Sequence, residues 1–471
     1  MLIDTEPLCR VVSEIFVQSG CSIAESERIA RHLASANLTG HDSHGVIRVP
    51  RYVNWLKTGN LRAGQSISMV TETEVFAVVD GNRGFGQTIG EQAVQLGIDK
   101  AAASGISIIA LRRSGHLGRI GDWAEMAVES GLISIHFVNV AGSLLVAPFG
   151  GVSRRMSTNP VTIGVPLVGK PPLILDFATA RVAEGKVLVA ATGGTPLPEG
   201  SLVSGDGEPT SDPRALYGDV DPTRTTGKRP GSGAIRTMGE HKGSGLALMC
   251  EMLAGALTGG GCAGPDKPYI MNGMLSIYIS PSHLDTGHTF AEEARQYVDF
   301  FTASEPAAGH DKVQVPGEPE RRLRAERTAG GIPLPETVWH AIRQTAREVG
   351  LPDKKSTNSP HHAQPEQPRR LLAHAVRPPV PAPRMSKGQP FIGIVQGDAC
   401  GIGPELLPKL LQGLEENEKN QVLVISDRRV LEAGCAVSGL EISCKALHER
   451  AAIDPHCGEI QLLDVPCLDP A

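Results

Sequence analysis

The chain has 471 residues, with 45 Lys and Arg against 51 Asp and Glu and a sequence pI near 6.2. A net charge of −6 argues against binding nucleic acid through bulk positive charge, because phosphate contacts need a basic surface. Hydrophobic residues at 41% and charged residues at 20% exclude a disordered chain, and the length allows about three domains.

The first residues, Met1-Leu2-Ile3-Asp4-Thr5-Glu6, carry no basic segment followed by an apolar run. The most apolar stretch, 131–152, contains His136, Asn139, Ser143 and Pro148, so it reads as strand plus loop and not as a membrane span. The 9 cysteines include no C-x-x-C pair. A reduced, cytoplasmic protein is expected.

In chain order, apolar residues at Ile29, Leu33 and Ala36 predict a helix over 23–38. A break follows at Gly40, and a helical pattern resumes over 46–56, with Pro50 tolerable only in a first turn. Strands are expected at 75–79, 106–110 and 132–140, alternating with helices over 87–103 and around Ile120, Trp123, Ala124 and Ala127. Such alternation predicts a layered α/β domain. Further on, a strand is expected at 173–176, a buried helix at 245–256 and a strand at 274–279. A helical stripe runs through Phe290, Ala294, Tyr297, Val298 and Phe301, and a last helix spans 335–349. Residues 351–390 are rich in proline and poor in apolar side chains, so they read as a linker, and a small α/β piece of about 80 residues follows from Phe391.

The densest chemical cluster is His41-Asp42-Ser43-His44-Gly45-Val46-Ile47-Arg48. On a helix, His44 and Arg48 would share a face one turn apart. A histidine can move the proton of an alcohol, an arginine fork can hold a carboxylate, and Ser43 can hydrogen-bond the same molecule. That suits a 2-hydroxy or 2-oxo acid. Spacing alone fits a capping Asp/Ser beside a surface His and Arg somewhat better. A metal site at His41 and His44 lacks a third ligand, so none is expected.

A second cluster, Ser114-Gly115-His116-Leu117-Gly118-Arg119-Ile120-Gly121, lies where a strand turns into a helix. That is where α/β proteins hold ligands, although an ordinary turn fits too. G-x-G-x-x-G is absent both here and at Gly84-Phe85-Gly86, so a Rossmann site is unsupported. Thr158-Asn159-Pro160, Asp176-Phe177-Ala178-Thr179 and His241-Lys242-Gly243-Ser244-Gly245 also stand out, the last with Lys242 at a helix start where phosphate would sit. Pro316-Gly317-Glu318-Pro319-Glu320 reads as a rigid turn, and His361-His362 as solvated linker.

Taken in this order, these stretches resemble the type 2 malate/L-lactate dehydrogenase family over about residues 1–350, nearest its hydroxycarboxylate branch. The resemblance implies a homodimer with a three-layer α/β/α fold around a mixed, non-Rossmann sheet. It also implies NAD- or NADP-dependent interconversion of 2-oxo and 2-hydroxy acids. His44 matches the family's proton donor or acceptor, with Ser43 and Arg48 on the substrate. His116 matches a second active-site histidine, the proton acceptor in some members. Gly118, Arg119, Ile120, Asp176, Phe177, Ala178, Thr179, Ala180, His241, Lys242, Asn272, Gly317, Glu318 and Pro319 match cofactor-contacting positions.

In the tail, Gln396-Gly397-Asp398-Ala399-Cys400-Gly401-Ile402-Gly403-Pro404-Glu405 resembles the opening of the 4-hydroxythreonine-4-phosphate dehydrogenase family. Ala399 and Cys400 replace that family's usual Pro and Ala, and its metal-binding histidines belong to a later part of that fold. Two alternative functions follow: a ligand-binding relic without activity, and a bifunctional fusion.

Overall fold

The structure is a computed structural model that describes residues 1–191, 195–219, 229–267 and 269–352, with short pieces between 392 and 464. The chain divides into two units, Met1–Asn358 and Ser359–Ala471.

The first unit begins with a short strand, β1 (Leu2–Ile3), and the helices α1 (Thr5–Gln18) and α2 (Ile23–Leu38). Ser22 caps α2 by accepting the Glu25 backbone N–H at 3.2 Å, as the S-x-x-E spacing favours. Two single 3-10 turns, Asp42–His44 and Val46–Arg48, lead into α3 (Val49–Lys57), where Pro50 occupies the first turn. Next come β2 (Ser68–Glu72), β3 (Phe76–Asp80), α4 (Gly86–Ser104), β4 (Ile106–Ser114), α5 (Gly121–Glu129), β5 (Ile133–Ala141), β6 (Pro160–Val165) and β7 (Leu173–Ala178). An excursion follows through α6 (Glu184–Ala191), β8 (Leu202–Val203), β9 (Pro209–Thr210), α7 (Arg214–Tyr217), β10 (Ala234–Ile235) and α8 (His241–Cys250). The chain then returns as β11 (Met271–Ile279) and closes with α9 (Pro281–Leu284), α10 (Phe290–Thr302), α11 (Glu318–Gly330), β12 (Ile332–Pro333) and α12 (Glu336–Glu348).

The central sheet has seven strands in the order β2-β3-β4-β11-β5-β6-β7. Only β3 and β4 run parallel; every other neighbouring pair is antiparallel, so the sheet is mixed as expected. One face is covered by α4 and α5 through Ile89, Val94, Trp123, Leu111, Met274 and Tyr278. A second core joins α1, α2 and α3 to α12 through Leu8, Ile15, Phe16, Leu33, Tyr52 and Ile342, and β1 pairs antiparallel with β12.

The opposite sheet face is only partly covered. Cross-strand pairing lines up Phe76, Ile108, Ile277, Ile135, Ile163 and Leu175 in one apolar row across six strands. At its two ends Phe76, Ile108 and Leu175 are each 39% exposed. The helix expected to be buried over 245–256 starts at His241, ends in a π-helical turn at Glu251–Ala256, and leaves Leu248, Met249 and Met252 exposed. The stripe on α10 has no fully buried residue, and Tyr297 and Phe301 are 67% and 46% exposed. Glu318, Pro319 and Glu320, read from sequence as part of a rigid turn, open α11, and the rest of that helix carried no expectation; its charged sequence, EPERRLRAERTAG, hides the helix because no apolar stripe marks it.

In the second unit, β13 (Ile392–Val395), β14 (Val422–Ser426), β15 (Cys444–Leu447) and β16 (Ile460–Asp464) form a parallel sheet in the order β13-β14-β16-β15. Among the described residues, Leu411, Val424, Leu431, Leu447 and Leu462 are buried there. Most of the proline-rich segment, His361-His362 and the Gln396–Glu405 stretch lie outside the described residues.

Candidate active site

The turn carrying His44 is not the single helix that the spacing suggested. Gly45 breaks it, with ψ −153° between the two 3-10 turns. The cause is Asn37 at the end of α2, whose side chain fills the space a Cβ at Gly45 would take. Asn37 accepts the Val46 backbone N–H at 2.8 Å and donates to Asp42 at 2.6 Å, so one buried amide pins both ends of the turn. Arg327 on α11 holds Asp42 from outside at 2.8 Å. His44 and Arg48 still converge, because the Arg48 Nε donates to the Ser43 carbonyl at 2.6 Å.

His116 follows β4 and reaches the same place. Its ring stacks on that of His44, with centroids 5.4 Å apart and planes 12° from parallel. The close approach of α4 depends on Gly86, where any Cβ would strike the His116 carbonyl. Tyr52, one of the largest buried side chains, completes the group. Gln87 Nε2 donates to the Tyr52 oxygen at 3.3 Å, which turns the phenol hydrogen toward His116 Nδ1 at 2.6 Å. The Tyr52 hydroxyl stays protonated, since burial raises its pKa against the pull of Arg48. Accepting at Nδ1 leaves the neutral His116 ring with its N–H at Nε2. Ser43 Oγ lies 3.0 Å from His44 Nδ1.

Both histidines are held neutral. Burial, then the charges of Arg48 and His41, lower the His44 pKa to about 3. Burial, Arg48, His44 and Arg51 push His116 well below the usual histidine value. Burial and neighbouring Arg51 also depress Arg48. The recess is therefore two neutral imidazoles in a positive field, a setting that attracts an anion and favours proton acceptance once that anion has arrived.

Of the positions matched to cofactor contacts, Gly118, Arg119, Ile120, Asp176 and Asn272 meet at the β4–α5 turn, while the others lie at the end of β7 and the starts of α8 and α11. The Asn272 amide oxygen accepts the Leu117 N–H at 2.9 Å, and Asp176 accepts the Gly121 N–H at 2.8 Å and the Thr162 hydroxyl at 2.7 Å. Gly118 has φ +77° and abuts Gln87, while Ile120 is buried at the start of α5. Phe177 and Ala178 pair with Val161 and Pro160, and Thr179 donates to the carbonyls of Thr158 and Asn159, each at 3.0 Å. Ala180 bridges to Thr237, and the Met238 N–H bonds the Thr179 carbonyl, which brings His241 and Lys242 at the α8 N-terminus beside the end of β7. Gly317 packs on Ile174, Glu318 pairs with Lys312, and Pro319 sits in the first turn of α11.

Arg119 differs from a surface contact: its side chain is 1% exposed and bonds Asp122 and Glu125, each at 2.8 Å. Only its backbone is left to meet a ligand there. Among the described residues no three His, Cys, Asp or Glu side chains gather as a metal would require.

Sequence reasoning did not assign roles to Tyr52, Gln87, Asn37 or the Glu184–Arg229 pair. Tyr52 stood beside the histidine cluster, but its contact is with His116, 64 residues further on, so no local signal marks it. Glu184 opens α6 and accepts from Tyr217 at 3.0 Å and Arg229 at 2.6 Å, with neighbouring Gly185 packed against Ser43.

A malate/L-lactate dehydrogenase family model matches residues 3–343. Hydroxycarboxylate dehydrogenase B of Escherichia coli K12 is 38% identical over 361 residues, covering 74% of this chain and 95% of that protein. L-lactate dehydrogenase of Cupriavidus necator is 34% identical, covering 69% and 91%. Among solved structures, a putative malate/lactate dehydrogenase from E. coli superposes with a TM-score of 0.70 at 37% identity, over 75% of this chain and 97% of that one. The chain belongs to the malate/L-lactate dehydrogenase family.

Proposed function

We propose that residues 1–350 interconvert 2-oxo acids and 2-hydroxy acids, using NAD or NADP. The observation that carries this is the stacked His44–His116 pair, neutral and recessed, beside the guanidinium of Arg48. Arg48 binds the substrate carboxylate and so cancels the charge that keeps His44 unprotonated. In the oxidation direction His44 then accepts the hydroxyl proton. In reduction the protonated ring returns that proton to the carbonyl oxygen, while the Nε2–H of His116 steadies the developing negative charge.

The nicotinamide supplies the hydride acceptor or donor when bound. The residues present suit such a group. Lys242 is exposed at the start of the 10-residue α8, and the ends of β7 and the β4–α5 turn offer backbone at close range. Gly118, Arg119 through its backbone, Ile120, Asp176 to Ala180, His241, Lys242, Asn272 and Gly317 to Pro319 would hold it.

A second copy of the chain is the partner we assign to the open sheet face and the outward aromatic stripe of α10. Apolar patches of this kind mark subunit interfaces. Sedimentation should give a dimer, and Ile108→Glu should weaken it. We read the two units as an oxidoreductase domain, a linker over 351–390 and a partial second enzyme fold over 391–471, without activity of its own. The function is tested by following reduced nicotinamide absorbance with a panel of 2-oxo acids and both cofactors. No loss of absorbance with any pair would overturn the reading.

A further inference from the structure

The two stacked histidines sit on segments that the sheet does not hold directly. His44 lies on a 3-10 turn with no buried residue, and His116 lies on the turn that leaves β4. The helix α11 reaches both segments from outside. Glu320, Leu323, Arg324 and Arg327 recur at the spacing of one helical face, and all four are half-buried, while Arg322, Ala325 and Glu326 are exposed.

Toward the His44 turn, Arg327 donates to both Asp42 oxygens, at 2.8 and 3.3 Å, and to the Asn37 carbonyl. Glu320 lies 3.6 Å from a ring nitrogen of His41, and Leu323 fills the space a Cβ at Gly40 would take. Toward the other turn, Arg324 donates to one oxygen of Glu125 at 3.0 Å, and the second oxygen accepts from Arg119 at 2.8 Å. Arg119 stands three residues after His116, with its side chain 1% exposed. No residue of α11 is fully buried, so charge-assisted hydrogen bonds, which are directional, fix where the helix lies.

We propose that α11 is a polar brace that sets the spacing of His44 and His116, with Arg327 and Arg324 as its positioning residues. Arg327 acts through Asp42 and Asn37 on the His44 turn. Arg324 acts through Glu125 and Arg119 on the turn that carries His116. Removing either arm leaves the cores of the unit intact and lets one ring drift against the other. Resting on the proposed function, that drift slows the proton step more than it loosens the hold on substrate.

The test uses the full-length protein, isotope-labelled at its histidine rings. The signals of His44 and His116 are identified by their loss in His44→Gln and His116→Gln. Stacked rings shift one another's resonances, so Arg327→Gln should move both signals. The signal of His136, buried in the sheet between Ser134 and Ser276, should stay in place. With pyruvate or oxaloacetate, whichever is reduced faster, Arg327→Gln should lower kcat about fivefold or more and leave KM within about twofold, the scale of one lost hydrogen bond. Arg327→Lys keeps a donor for Asp42 and should restore part of the rate. Arg324→Gln should act in the same sense but more weakly, because Arg119 keeps its bond to Asp122. Arg322→Gln removes only an exposed 3.8 Å contact with Glu326 and should change neither signals nor kcat. An Arg327→Gln protein that melts earlier with its histidine signals and kcat unchanged overturns the inference. So does an Arg322→Gln protein in which they move as far. If neither acid is reduced, the proposed function is what fails, and the histidine signals alone decide the brace.

Discussion

Two histidine sites in the first unit show how neighbours decide what one residue type does. His32, on α2, lies 2.8 Å from Asp122 and 3.8 Å from Glu91. Burial works against its charge, but the bonds to those two carboxylates outweigh it and the pKa is raised. His44 has Arg48 and His41 for neighbours and is driven down to about 3. Asp122 itself is tied up by His32 and Arg119, so it does little to protonate His44. The first arrangement is an ion-pair network that ties α2, α4 and α5 together. The second is uncharged and open to a ligand. The proposed function assigns acid–base chemistry to the second site, where charge is withheld until a substrate brings it.

The comparison is tested most severely at His44. His44→Ala should lower kcat about a hundredfold or more with little change in cofactor affinity, the usual contribution of a general acid–base group. If turnover stays within a few-fold of wild type, His116 becomes the proton carrier.

Tyr52→Phe tests whether His116 is oriented through Gln87 and Tyr52. The hydroxyl bond is worth about 1 kcal/mol, so a five- to tenfold fall in kcat with nearly constant KM is expected. The pH profile should move too, because His116 loses the partner that fixes its proton at Nε2. A purely structural Tyr52 would lower the melting temperature and leave the profile in place.

The pH dependence of stability separates the two sites by sign. A raised pKa at His32 means its contribution is complete below about 6.5, the unfolded value, and is lost as pH rises through the folded value. The lowered pKa of His44 acts oppositely, with stability falling as pH drops from about 6.5 toward 3. His32→Gln should therefore reduce the melting temperature most near pH 6 and least at alkaline pH. A constant difference across that range would show His32 to be neutral in the fold.

The smallest effect is expected from the tail. Truncation after Pro352 retains α12 and every residue assigned to the site, and the family match already ends at residue 343. Activity and cooperative melting should survive. Loss of either would show that the second unit supports the first.

Much of the first unit was legible in the sequence because its signals are local. Apolar runs mark β3, β4 and β5, the spacing of Ile29, Leu33 and Ala36 marks α2, and the ordered motifs mark the family. Elements without a local apolar pattern escaped: α11 is charged throughout, and β2 is fully exposed. The helix over 245–256 looked buried although it leaves Leu248, Met249 and Met252 exposed, because an apolar run does not say what lies against it.

For the site, the sequence by itself supplied the residue types, His44, His116, Arg48 and Ser43, and their order. Only the tertiary structure decided that the two rings stack, that Tyr52 and Gln87 orient one of them, and that Gly45 breaks the turn over Asn37. It also decided that Arg119 is locked into an internal ion pair. The reason is one of range. Helix and strand preferences arise between residues a few positions apart, whereas the protonation of a histidine depends on which charges the fold brings near it from distant parts of the chain.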